Sequence, residues 1–301
     1  MALKHIKLKI QSVKKTSTVT RAMEAVSAVK MRKAQERALG GRAYAAAALS
    51  ILEKLAGTTE VKQHPFSQER PGHTALILVT SDKGLAGALN SAVIRRAEQE
   101  IRDRNLQKGE VVVFAMGKRG GEYFRSREYP GVTIHTNISD GVSESDALEV
   151  TRHILAIPEI TKVLVIYQNF LSTFEQKPVV RQILPISPET IHQMVAGIVP
   201  AKGKYAGIGQ GENWTPSTYS IEPDIETVVN ELMPKLLNVA IFHALLEAKA
   251  SEHSARMVAM KSATDKARDM VKELTRKFNK VRQAAITREV SEITSGIEAM
   301  K

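Results

Sequence analysis

The sequence holds 301 residues, 43% apolar and 25% charged but only 5% aromatic, so its core is drawn from Ala, Val, Leu, Ile and Met, the composition of packed helices rather than of a β-sandwich. The lack of cysteine excludes a disulfide framework, a thiolate metal site, a cysteine nucleophile and a redox switch. No run approaches the roughly 20 apolar residues of a membrane span, and Met1 to Lys14 has scattered charges in place of a signal-peptide core, so the expectation is a cytosolic protein whose membrane attachment, if any, is indirect.

The net charge of +11 is unevenly distributed. Residues 1–55 hold 12 Lys/Arg against 3 Asp/Glu, residues 56–222 hold 18 against 18, and residues 223–301 hold 13 against 11. A basic first segment implies an acidic partner, which by charge alone could be protein, nucleic acid or anionic lipid.

From Ala2 to Leu55 there is no proline and the only glycines are Gly40 and Gly41, which predicts one long helix. Leu3, Ile6, Ile10 and Val13 follow alternating spacings of three and four, the mark of a seam facing a partner helix. The pattern loosens at Thr16, Ser17 and Thr20 before Met23, Val26 and Met31 resume it, and the loosened stretch is expected to pack less tightly or to tilt. The two glycines weaken the helix by about 1 kcal/mol each relative to alanine, enough for a bend.

The middle of the chain alternates differently. Short β-rich runs at Thr74 to Thr80, Glu110 to Met116, Val132 to Thr136, Thr161 to Gln168 and Pro178 to Ile186 are separated by helical stretches near 88–106, 118–128 and 143–157. Such alternation predicts a mostly parallel α/β sheet. Residues 56–73 and 196–223 carry the Gly, Pro and polar clusters of connecting loops.

The last segment has the stronger periodicity. Met257, Met260, Thr264, Ala267, Val271, Leu274, Phe278, Val281 and Ala285 keep unbroken three and four spacings, extending back through Ala250, Leu246, Val239, Leu236 and Leu232. A sustained heptad seam demands a left-handed supercoil, and a helix from Asp224 to Ser295 could reach roughly 100 Å at about 1.5 Å per residue. Pro234 is expected to kink or restart this helix, and Gly296 to stop it. The fold class is therefore α/β: a long antiparallel left-handed coiled coil of the terminal helices (residues 1–56 and 223–301) with a Rossmann-like α/β domain (residues 57–222) inserted between them. Periodicity alone is equally met by a generic helical hairpin or a dimerisation coiled coil.

Chemistry-bearing motifs are sparse. Ser81 to Gly87 (SDKGLAG) joins a predicted strand to a helix, where Rossmann-like folds bind phosphate, but it lacks both the G-x-G-x-x-G and the G-x-x-x-x-G-K-[ST] spacing and reads better as a structural turn. Gly207, Gly209 and Gly211 follow no strand. The eight histidines fall in no H-E-x-x-H or paired-ligand spacing, so neither a metal nor a cofactor is expected. The basic clusters Lys4, Lys7, Lys9, Lys14, Lys15 and Lys30, Arg32, Lys33, Arg37 lack the aromatics of a nucleic-acid surface, Tyr44 being the only one in residues 1–55, and an acidic protein surface fits them better. The carboxylates Asp265, Asp269 and Glu273, four apart, suit a solvated helix face.

Four segments together resemble the gamma subunit family of F-type ATP synthases: VTRAMEAVSAVKMRKAQ (Val19 to Gln35), SDKGLAGALN (Ser81 to Asn90), ASEHSARMVAMKSATDKA (Ala250 to Ala267) and RQAAITREVSEITSGIEA (Arg282 to Ala299). One departure stands at the end, where Gly296 is followed by Ile297 and the family usually has Ala. The resemblance implies a bacterial-type, non-catalytic rotor shaft, without the thiol-regulated insertion of the chloroplast type. It implies a coiled coil turning inside a ring of alpha and beta subunits, and a foot that binds the epsilon subunit and the proton-driven c ring. It implies a peripheral location on the cytoplasmic side of the inner membrane. Carried over by position, Arg282, Gln283, Thr287 and Glu289 match residues that meet loops of a beta subunit, Met23 matches a position facing an acidic beta loop with Lys30 and Lys33 as neighbours, and Arg256 matches an arginine near the same region. Two other readings compete with it: a Rossmann-type nucleotide-using enzyme, and a basic coiled coil that binds nucleic acid.

Overall fold

A computed structural model describes residues 2–55, 58–187, 190 and 221–300, the side chains of 2, 38–50 and 52–54 excepted. The elements are α1 (Ala2–Leu55), α2 (Thr59–Gln63), β1 (His73–Val79), α3 (Leu89–Asp103), β2 (Val111–Met116), α4 (Lys118–Ser126), β3 (Gly131–His135), α5 (Glu144–Leu155), β4 (Ile160–Phe170), β5 (Gln176–Leu184) and α6 (Ile225–Glu298). They form two compact units, Met1–Ser27 with Met257–Lys301, and Ala28–Arg256.

In the larger unit all five predicted strands are present. The sheet order is β3-β2-β1-β4-β5, parallel except for the β4–β5 pair. Because a strand sends alternate side chains to opposite faces, the continuous apolar runs cover both. Leu76, Leu78, Val113, Ala115, Leu164 and Ile166 pack with Val93, Ala97 and Ile101 of α3 and Phe124 of α4. The other face puts Ala75, Ile77, Phe114, Val163, Val165 and Tyr167 with Ala147, Val150 and Ile154 of α5 and Val229, Met233, Leu237 and Ile241 of α6. Helix α4 lies close to the sheet because it opens with glycine: a Cβ at Gly120 would meet Leu78 Cδ2 at 2.6 Å, and one at Gly121 would meet Ile134 Cγ1 at 2.6 Å.

Helix α6 begins at Asp224, whose carboxylate accepts from Thr227 N and Thr227 Oγ1, both at 2.8 Å, the side-chain cap that an exposed helix start needs. Of the kink or restart expected at Pro234, the restart does not occur: the helix runs through it without a break. The buried Val229, Met233, Leu236 and Leu237 around it supply packing that outweighs one lost backbone bond. Gly296 does not end it either: the helix runs to Glu298, and bonds from Ala299 N to Ser295 O and from Met300 N to Ile297 O finish it. The predicted connector 56–73 contains α2, with Thr58 Oγ1 accepting from Val61 N. Gly207, Gly209, Gly211 and most of the second connector lie outside the described residues.

The smaller unit is the two-helix coil. On α6 the predicted seam residues from Met257 to Ala285 are the buried and half-buried ones. On α1 the pattern corrects the sequence reading. Leu3, Ile6, Ile10, Val13, Ser17, Thr20, Glu24 and Ser27 are buried or half-buried in unbroken heptad phase, Thr20 and Ser27 at 9% and 3% exposure, while Val26 is 54% exposed. The stretch is not loosened; its seam is built from small hydroxyl side chains, and Thr20 Oγ1 meets Thr264 Oγ1 at 2.7 Å.

That contact also explains the helix direction. With Thr20 opposite Thr264, an antiparallel partner for Ala2 falls at residue 282, and α6 loses its burial just past Ala285.

Candidate functional site

Past the coil, α6 continues as an unaccompanied helix. Ile286, Val290, Ile293, Ile297 and Met300 are 51%, 56%, 63%, 58% and 90% exposed and repeat at four and three out of phase with the seam, so they form an apolar stripe of their own facing no described residue of this chain. Arg282, Gln283, Thr287 and Glu289 are exposed on this same length of helix, Thr287 Oγ1 donating to Gln283 O at 3.0 Å. The structure thus brings four of the eight predicted contact residues together beside a stripe of the kind that marks a protein-binding surface. Met23 lies half-buried on α1, in the smaller unit.

The other three belong to the larger unit. Lys33 is exposed. Lys30 Nζ is 2.6 Å from Asp140 Oδ2, and Arg37 Nη1 donates to Asp140 O at 3.3 Å. Asp140 Oδ1 in turn lies 2.9 Å from Nε2 of His253 on α6, off-line for a hydrogen bond. One turn of the β3–α5 loop therefore joins α1 to α6. Burial pushes the Asp140 carboxyl up, but the Lys30 bond and the charges of His253, Lys30 and Lys249 outweigh it and hold it below the usual carboxylate value. Arg256 pairs with Glu252 at 2.8 Å and reaches Gly84 O at 3.4 Å, tying α6 to the SDKGLAG loop. Asp140 carried no signal in the sequence, because its partners are over a hundred residues away in the chain, and His253 stood out there only as a polar exception on the α6 seam.

The SDKGLAG loop serves the fold. Asp82 accepts from Lys118 N at 2.8 Å and from Asn137 N at 2.9 Å, so its carboxylate fastens the loop to the start of α4 and to the segment after β3. Asn90 accepts from Ser81 N at 2.9 Å and donates to Ser81 Oγ at 2.8 Å, fixing the turn. At the switch point between β1 and β4, where open α/β sheets bind ligands, Leu245, Ala248, Lys249 and Glu252 of α6 line the crevice beside Val79, Thr80 and Gln168. No helix among the described residues is long and apolar enough to cross a membrane.

Two long terminal helices with an α/β domain between them in the chain are a fold shared with solved ATP synthase chains. It matches a chain of the Euglena gracilis mitochondrial ATP synthase, solved as OSCP, F1 and c-ring, at a TM-score of 0.66 and 15% identity over 99% of this chain and 94% of that one. The central stalk of the Tetrahymena thermophila enzyme matches at 0.59 and 23% identity, over 81% of this chain and 99% of that one. A family model described as ATP synthase matches residues 2–300. ATP synthase gamma chains of Roseiflexus sp. strain RS-1 and Pelotomaculum thermopropionicum are 38% and 36% identical, covering 99% and 100% of this chain and 98% and 99% of theirs. The chain belongs to the ATP synthase gamma-chain family.

Proposed function

We infer that this chain is the central rotor shaft of an F-type ATP synthase, carrying torque between a proton-driven c ring and the catalytic hexamer of alpha and beta subunits. It performs no bond chemistry of its own; its asymmetric surface meets each beta subunit differently, so that rotation takes each catalytic site through binding, synthesis and release. The observation that carries this reading is the end-to-end match to gamma chains. The bare end of α6 supports it, since it offers an apolar stripe beside Arg282, Gln283, Thr287 and Glu289 as the surface that beta-subunit loops grip.

On the same family correspondence, Met23 is the position that faces an acidic beta loop, with Lys30 and Lys33 as its electrostatic neighbours. Lys30 and Arg256 also hold Asp140 and Glu252 of their own chain. A partly exposed ion pair from Lys33 to such a loop is worth about 0–1 kcal/mol, which suits contacts that release and re-form on every turn, whereas the Arg256–Glu252 pair, at 11% and 10% exposure, is a fixed part of the fold. Residues 57–222 serve as the α/β module of the foot, with the epsilon subunit and the c ring as its partners, and the complex holds the chain peripherally on the cytoplasmic side of the inner membrane.

Reconstitution tests the reading. The pure chain is expected to show no ATPase activity, and its addition to alpha and beta subunits to give a hexamer whose turnover depends on it. A complex that turned over equally well without this chain would overturn the assignment.

A further inference from the structure

Strand β3 ends at His135, and α5 carries Glu149 and His153 one turn apart, a spacing that puts both on one helix face. One ligand atom from each of the three lies within 4.8 Å of the others. The His135 and His153 rings stand 5.6 Å apart, tilted by 34°, and His135 Nδ1 is 3.4 Å from Glu149 Oε1. That separation is longer than a good N–H···O bond of about 2.7–3.2 Å. It matches the edge of about 3.3 Å of a tetrahedron whose metal–ligand bonds are about 2.0–2.1 Å.

The setting suits a ligand set. His135 is 11% exposed and Glu149 61%, and His153 is exposed, so one fixed donor faces two that can swing by the ångström or so that closure needs. The His135 imidazole is the most buried of the three side chains. Its Nε2 is buried without a hydrogen-bond partner, leaving Nδ1 as the nitrogen open toward the surface.

We propose that His135, Glu149 and His153 form a binding site for a divalent transition metal of the zinc class, with water completing the coordination. Two imidazoles and one carboxylate select such an ion over Mg²⁺ or Ca²⁺, which take oxygen ligands. The bound ion clips the edge strand β3 to α5.

The test titrates the full chain, stripped of metal, with Zn²⁺ alone by calorimetry and with Co²⁺ alone by absorption near neutral pH. One ion per chain with micromolar affinity or better is expected, and Co²⁺ bands of a four-coordinate complex. H153A and E149Q, both at exposed positions and checked for unchanged melting without metal, are expected to weaken binding by at least the roughly 10-fold that even an outer partner contributes, while H5A leaves it unchanged. Absence of binding at millimolar Zn²⁺, or binding that H153A and E149Q leave unaltered, overturns the site.

Discussion

Thr20 and Thr264 meet across the coil at 2.7 Å, and Thr264 Oγ1 also lies 2.8 Å from Met260 O. With Thr264 donating to its own helix, Thr20 donates across at 2.7 Å in preference to its longer contact with Ser17 O at 3.1 Å. Both residues are almost fully buried, at 9% and 2% exposure, so the pair fixes axial register in a way that two apolar side chains would not. Thr20→Val and Thr264→Val are each expected to lower stability by about 1 kcal/mol, and the double variant by less than the sum, with a coupling of about 0.5–1 kcal/mol in urea unfolding. Strict additivity would show that the hydroxyls do not act as a pair. Hydropathy alone passes over such a seam: Ser17, Thr20 and Ser27 hold the heptad phase by position and size, while Val26, which looks like a seam residue, points to water.

Elements were more legible than residues. All five strands and the three helices among them follow from alternation, since runs such as Leu76 to Val79 must be covered on both faces. The α6 seam from Met257 to Ala285 was equally readable. The reach of α6 was not: Pro234 and Gly296 are local signals that tertiary packing and terminal backbone bonds override. Nor does periodicity say where a seam loses its partner. The stripe from Ile286 to Met300 repeats at four and three but out of phase with the seam that ends at Ala285, and the Thr20–Thr264 register together with the exposure of the stripe places it beyond the coil. Ile293→Lys is therefore expected to alter the thermal stability of the free chain by no more than about 0.5 kcal/mol while impairing assembly with alpha and beta subunits. The half-buried Leu274→Ala is expected to cost the free chain about 2 kcal/mol. Equal melting shifts for the two would mean that the stripe is packed within this chain.

At the scale of the whole molecule, acid stability depends on the junction of α1, the β3–α5 loop and α6. His253 is 2% exposed. Burial lowers its pKa from 6.5, against the pull of Glu252 and Asp140 and with the push of Arg256 and Lys249. The unfolded chain then binds this proton more readily than the folded one, so stability falls as pH drops below 6.5 toward the folded value. Asp140, lowered from 3.8, adds a second loss in more acid solution, as pH falls through its folded value. His253→Asn is expected to flatten the stability profile between about pH 5 and the neutral range, measured by urea unfolding; an unchanged slope would assign the acid loss elsewhere. These long-range clasps are the part of the site that no local pattern encodes. The same holds for His135, which joins Glu149 and His153 only because the sheet brings β3 beside α5. The bare end of α6 has a further consequence for the free chain. The turns after Ala285 have no packing partner among the described residues, so they are expected to fray more readily and to exchange their amide protons faster than those of the paired seam. Ordering each such residue on entry into a ring costs about 1–2 kcal/mol of backbone entropy. Part of the gross contact energy at the tip goes into that ordering, and the net hold left to the ring is correspondingly slight, as a spindle that must slip from one seat to the next requires.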